Sequence, residues 1–239
     1  MAKTVDGTIY PVRVIFGMAA LFAALSIHFA IMLNVNPEFL QKEPIIGPYY
    51  VEGLANRMSA RAGEFTFHSI VGLALIALGY TQMSQKIRRK YRKLHKAAGA
   101  IYTVFGVVAV ITGVYMSHTA FGKYSSVVAN YFFGGLWLWF TGKSLWYLYK
   151  GDYRLHGIWN VKGFTLLMIP SFTRVYVIAQ LAIWPDMSLD TNFATGAWAA
   201  LASAILLGNW YERAAHLTHF ARREPKASGT ADKSLPKSA

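Results

Sequence analysis

Six stretches of this chain are apolar for long enough to cross a bilayer, and that constrains the fold more than any other feature. They run at about 13–33, 64–84, 97–117, 128–149, 157–183 and 193–211. A span needs roughly 20 largely apolar residues. A soluble fold would scatter its apolar residues at a core-facing period, whereas here they come in blocks. In lipid, helices satisfy every backbone N–H and C=O within the segment. The expected fold class is an all-α membrane protein, a bundle of about six transmembrane helices.

Charge then orients the bundle. The formal net charge of +13 could suggest nucleic acid, but its placement argues against that partner. Eighteen Lys and Arg fall on one set of alternate loops and four on the other, as the positive-inside rule expects. Seven of the eighteen stand in one connection, Lys86 to Lys96. That basic turn fixes orientation and meets anionic headgroups. Both termini are expected to be cytoplasmic, in a multi-pass protein of the inner membrane with the lipid bilayer as its partner. The chain has no cysteine, which excludes disulfides, thiolate metal sites, thiol redox chemistry and covalent c-type haem attachment. The first apolar block is of spanning length and no convincing small-residue cleavage site follows it, so it is expected to remain as an anchor.

Along the chain, residues 1–12 read as a short cytoplasmic lead and 13–211 as the membrane domain. Within that domain 34–63 is an outer interfacial loop interrupted by Pro37, Pro44 and Pro48. Residues 212–239 read as a basic, partly disordered tail, with His216 and His219 on its surface. Gly72 and Gly79, and Gly99, Gly106 and Gly113, repeat at seven-residue spacing. Such stripes suit a close-packed helix pair, and equally a flat cofactor lying beside a helix. The span at 128–149 is dense in Trp, Tyr and Phe, as an interfacial belt would be. Pro170 is expected to kink the span at 157–183, which also holds Arg174. No nucleotide loop, nucleophile elbow or HExxH motif occurs, and no carboxylate stands inside a span.

The histidines carry the chemistry. Three of the seven lie at the ends of the arms of one hairpin, Glu64 to His118. The expected topology puts His28, His68 and His118 near the outer face, and His95 and His156 near the inner one. His95 and His118 are 23 residues apart, roughly 34 Å along a helix, about one bilayer core. Imidazole is a good axial ligand for haem iron, and bundles build such sites from facing side chains. Ligation by two histidines requires equal depth on neighbouring helices. His95 with His156 satisfies this at the inner face, and His68 with His118 at the outer. Propionates would need basic partners: Arg92, Lys93, Arg154 and Lys162 inside, Arg61 and Arg174 outside. Any one histidine near an interface is an ordinary amphipathic residue; the set of four is what points to a cofactor.

Two resemblances follow from these residues. Arg92-x-x-His95-Lys96-x-x-Gly99-x-x-Tyr102 resembles the R-x-x-H-[RK]-x-x-G-x-x-[YF] signature of a bacterial family of predicted membrane proteins of unknown function. His68 with Gly72, Gly79 and Gln82 is similar to the helix that precedes it there. The segment from His156 to Lys162, ending at Arg174, resembles a later H-R-R-W-M-x-R segment, matching at His156, Trp159 and Lys162 and departing at Gly157, Ile158 and Asn160. The similarity spans roughly residues 60–180. In architecture the chain also resembles multi-span b-type cytochromes of the 561-nm kind, which implies two haems and electron transfer across the membrane.

The expectation is therefore a b-type cytochrome-like electron-transfer protein holding haem b, two in the fullest form, and working with a quinol or another redox partner. Its ligands would be His95 and His156 inside, His68 and His118 outside. The alternatives are a non-redox accessory or assembly subunit of a larger membrane complex, and a small-molecule carrier built around Pro170 and Arg174.

Overall fold

The computed structural model describes residues 62–118 and 122–221, with the isolated positions 17 and 21. The expected first span, most of the 34–63 loop, His28 and Arg61 lie outside the described residues. Within them the chain forms seven helices and no strand: α1 (Ala62–Met83), α2 (Gln85–Lys90), α3 (Arg92–Ser117), α4 (Lys123–Tyr149), α5 (Tyr153–Leu166), α6 (Ile169–Ile183) and α7 (Leu189–Ala221).

Among the described residues, four segments are long and apolar enough to cross a membrane: Gly63–Met83, Arg92–Ser117, Tyr153–Ile183 and Leu189–His216. α4, at 27 residues, is longer than the first two of them. Its Asn130, Lys143, hydroxyls and interfacial aromatics keep its hydropathy lower, while Trp137, Phe140 and Ser144 are buried against its neighbours. The protein is an all-α, multi-pass membrane protein.

Consecutive helices pair antiparallel: α1 with α3, α4 with α5, α6 with α7. α7 then crosses back onto α5 and α4, and α3 packs on α4, which closes the bundle. The core at this junction holds Leu75, Trp137, Phe164, Leu166 and Met168, each almost wholly buried.

The glycines show how the helices approach. Gly99 faces Gln82 of α1, and Gly113 faces the His68 ring, as a close α1–α3 pair requires. The other contacts come from further helices. A methyl on Gly79 would overlap the ring of Phe164 from α5, and one on Gly106 the ring of Trp137 from α4. Aromatic side chains thus fill the notches that a flat cofactor could have used. Gly72 faces nothing within 4 Å.

The connections depart from the expected boundaries in three places. Part of the basic turn is itself helical: Ser84 Oγ caps α2 by accepting from Ile87 N, and α3 restarts at Arg92. His95 therefore lies in the first turn of α3. The span at 157–183 is broken, not merely kinked. α5 closes with short bonds from Leu167 N to Phe164 O and from Met168 N to Thr165 O, and Pro170, which has no N–H to offer, enters the first turn of α6. Finally, α7 continues to Ala221, past the expected end at 211.

Candidate functional site

At the end of the bundle that carries α2 and the α4–α5 turn, polar side chains from six helices converge. The turn itself is built for precision. Gly151 adopts φ +74°, and Asp152 caps α5 by accepting from Leu155 N at 2.9 Å. His156 follows one turn into α5. Its Nδ1 lies 2.9 Å from the Ser144 carbonyl oxygen and 2.9 Å from Ser144 Oγ. That hydroxyl donates to the His156 carbonyl at 3.0 Å. A carbonyl can only accept, so Nδ1 carries the ring proton and Nε2 keeps its lone pair. Anchoring one ring nitrogen to a backbone carbonyl is how metal-binding imidazoles are oriented.

His95 stands at the same end, in the first turn of α3. The two imidazoles are close enough for their charges to act on each other, although α3 and α5 scarcely touch elsewhere. Gln82 Nε2 donates to the His95 carbonyl at 2.9 Å and holds that turn against α1. The Thr81 backbone lies near the ring, yet no ring nitrogen makes a bond of good geometry to it, and His95 Nδ1 is buried without a partner. Such an atom is costly unless something satisfies it. Arg88 of α2 reaches over the same end, close to both His95 and Tyr211.

The basic residues expected beside this pair are arranged unequally. Arg92 and Lys93 are exposed. Arg154 Nη1 donates to His216 Nδ1 at 3.2 Å. Lys162 is buried and already paired: its Nζ lies 2.7 Å from Glu212 Oε2 and over the rings of Trp159 and Phe140. Glu212 is the residue that the sequence reading missed. It stands just beyond the last apolar block, and only the continuation of α7 past Tyr211 turns it toward α5. Its i,i+4 spacing to His216 was the available signal.

The opposite end is different. His68 Nδ1 lies 2.8 Å from Thr112 Oγ1, whose own proton goes to the Val108 carbonyl at 2.9 Å. Nδ1 is therefore the donor there too. The ring abuts Gly113, and Arg174 is near enough to act on it electrostatically. His118 caps α3 and meets Tyr131, with Nε2 3.2 Å from the phenol oxygen. It stands six residues beyond Thr112, about 9 Å farther along the helix. The structure does not bring His68 and His118 together. A cleft of about 390 Å³ opens beside His68, lined by Gly63, Glu64, Phe67, Thr112, Tyr115 and Met116.

Tested against a haem, the end with α2 fits in donor chemistry. It offers one imidazole with a free, oriented Nε2 and a second with an unsatisfied buried nitrogen. Among the described residues no group of three or more His, Asp or Glu side chains suits a metal ion held by protein alone. Comparison with the curated proteins and with the solved structures found no match. One family model matches residues 65–211, which takes in α1 to α6 and most of α7. The chain belongs to that family, the predicted membrane proteins DUF2306.

Proposed function

We propose that the protein is a membrane electron carrier that holds one b-type haem between His95 and His156. The observation that carries this reading is the pair of imidazoles at one end of the bundle: His156 has an unprotonated, oriented Nε2, and His95 a buried, unpartnered nitrogen. A bound haem would supply a one-electron iron couple. The chain's own residues do the rest. Ser144 fixes the tautomer and angle of His156, and Gln82 holds the turn that carries His95. Arg88 supplies positive charge at the same end, where carboxylates of a ligand would be stabilised. Trp159 and Phe140 meet at 5.5 Å, tilted by 60°, with the Lys162 ammonium over both rings.

The reading is narrower than two haems in series. A second site would need His68 and His118 at one depth, and the geometry separates them. The single site lies at the basic end, which in this reading faces the cytoplasm, as the positive-inside rule expects.

An absorption spectrum tests the proposal. The full chain purified from haem-replete cells is expected to show Soret and alpha bands that sharpen on reduction. His95→Ala and His156→Ala should each abolish them, and His118→Ala should leave them intact. A colourless preparation that also fails to take up added haem would rule the proposal out and favour an accessory subunit.

A further inference from the structure

The side of α4 turned away from the bundle carries two lysine–tryptophan pairs that the histidine site does not use. α4 packs on α3, α5 and α7, with Trp137, Phe140 and Ser144 buried. On its opposite side Trp139, Gly142, Lys143, Trp146 and Lys150 keep within about a third of a turn of one another. All are exposed except Lys143, which is partly buried. Each lysine folds back over the indole four residues before it. Lys143 Nζ lies 5.1 Å from the centre of the Trp139 ring, and Lys150 Nζ 4.9 Å from that of Trp146. A Cβ on Gly142 would meet nothing within 4 Å, so an open notch separates the pairs.

Among the described residues these two cations have no counter-charge. α4 contains neither aspartate nor glutamate, and the lysines paired with a carboxylate there are Lys123 and Lys162. An indole face stabilises an ammonium but does not neutralise it. Lys143 stands seven residues before Lys150, about 10 Å deeper along the helix. Cations are rare on the lipid-facing side of a membrane helix, and those near its end reach for the headgroups. We propose that this face of α4 binds one anionic phospholipid. Lys150 and Lys143, the latter swung up from Trp139, hold its phosphate, and its acyl chains lie over the indoles and Gly142.

Charge and depth select this occupant. A second copy docked here about a two-fold axis would bring two like pairs of lysines together, which charge opposes. Free phosphate would have to leave water to reach Lys143. A lipid carries its phosphate in the interface and covers the exposed indoles with its chains. Tryptophan and lysine anchor helices at that level, and basic clusters there recognise anionic headgroups. The site is distinct from the basic turn of Lys86 to Lys96. The lysines and arginines of that turn are all exposed and meet a leaflet as a field of charge, whereas α4 fixes two cations and two indoles on one helix face.

The measurement is native mass spectrometry of the full chain in detergent, titrated with phosphatidylglycerol or with phosphatidylcholine of identical acyl chains. The unsubstituted protein is expected to retain one phosphatidylglycerol at concentrations where phosphatidylcholine dissociates. Lys143→Gln and Lys150→Gln should each weaken that binding roughly fivefold, with unchanged unfolding temperatures, and Lys143→Arg should preserve it. Lys86→Gln, which removes an exposed charge from the basic turn, should leave the retained lipid in place. Equal retention of the two lipids overturns the proposal. So does a loss with Lys86→Gln as large as with Lys143→Gln, which would make the effect one of net charge. Undiminished binding by Lys143→Gln overturns it too, and leaves the face to a partner helix with a carboxylate at that depth. Haem adds its own separate mass, so none of these outcomes touches the haem reading.

Discussion

At the scale of single residues, the glycines separate what a sequence reveals from what only packing decides. Their seven-residue spacing correctly marked the faces on which helices come close. It could not say what comes close. Gly79 receives Phe164 and Gly106 receives Trp137, both from helices distant in the chain, while Gly72 in the same stripe faces nothing within 4 Å. The difference has a measurable consequence. Gly106→Ala forces a methyl into the ring of a fully buried tryptophan, and overpacking of this kind costs about 1–3 kcal/mol. Gly79→Ala should behave similarly, since Phe164 is equally buried. Gly72→Ala should be neutral or slightly stabilising, because alanine restricts the unfolded chain. Unfolding midpoints in one detergent rank the three; equal midpoints would show that the notches do not hold the bundle together. The histidines follow the same rule. Topology alone put His95 and His156 toward one end of the bundle, but it also put His68 beside His118, which meets Tyr131 instead. Ring orientation was not legible, because it depends on Ser144 and Thr112 across a helix interface.

At the scale of elements, helix ends carry the site, and ends are where sequence is least explicit. The spans at 64–84 and 128–149 match α1 and α4 to within five residues at each end. Yet α3 begins earlier than its apolar block and α7 ends later, because lysine, arginine and glutamate prolong a helix without being apolar. That extension brings Glu212 and His216 against α5, so their contacts with Lys162 and Arg154 were invisible to a hydropathy reading that stopped at Tyr211. The start of α5 was better marked, since Gly-Asp before a helix is a turn followed by a cap. Asp152 accepts from Leu155 N at 2.9 Å, and its loss by Asp152→Ala should cost about 1 kcal/mol. Ser84 accepts from Ile87 N at a longer 3.4 Å, and the helix it caps has no buried residue, so Ser84→Ala should cost less. Thermal unfolding compares them directly. If the haem reading holds, Asp152→Ala should also weaken haem retention, because His156 lies one turn from the cap, whereas Ser84→Ala should not.

At the scale of the whole molecule, charge and helix direction converge on one orientation. α1 and α4 run toward the end that holds α2 and the α4–α5 turn, and α3 and the broken α5–α6 span run away from it. The connections after α1 and α4 therefore share a face, and the α6–α7 connection lies on the other. The first of these faces carries the exposed bases from Lys86 to Lys96, with Lys150 and Arg154, whereas the α6–α7 connection contains no lysine or arginine. Each exposed cation near an anionic leaflet is worth about 1 kcal/mol, so reversing the bundle would forfeit several. The absence of cysteine makes the orientation open to a clean test, since an introduced thiol is the only one present. Lys90→Cys, Lys150→Cys and Asp186→Cys all fall on exposed positions. An impermeant maleimide added to intact spheroplasts should label Asp186→Cys and spare the other two until the membrane is opened. Labelling of Lys90→Cys and Asp186→Cys from the same side would break the alternation on which α3, α4 and the α5–α6 span depend. Labelling of Lys90→Cys and Lys150→Cys from opposite sides would show that the hairpin of α3 and α4 does not cross and return. The histidine pair would then lose its common depth, since His95 follows the first of these positions and His156 the second.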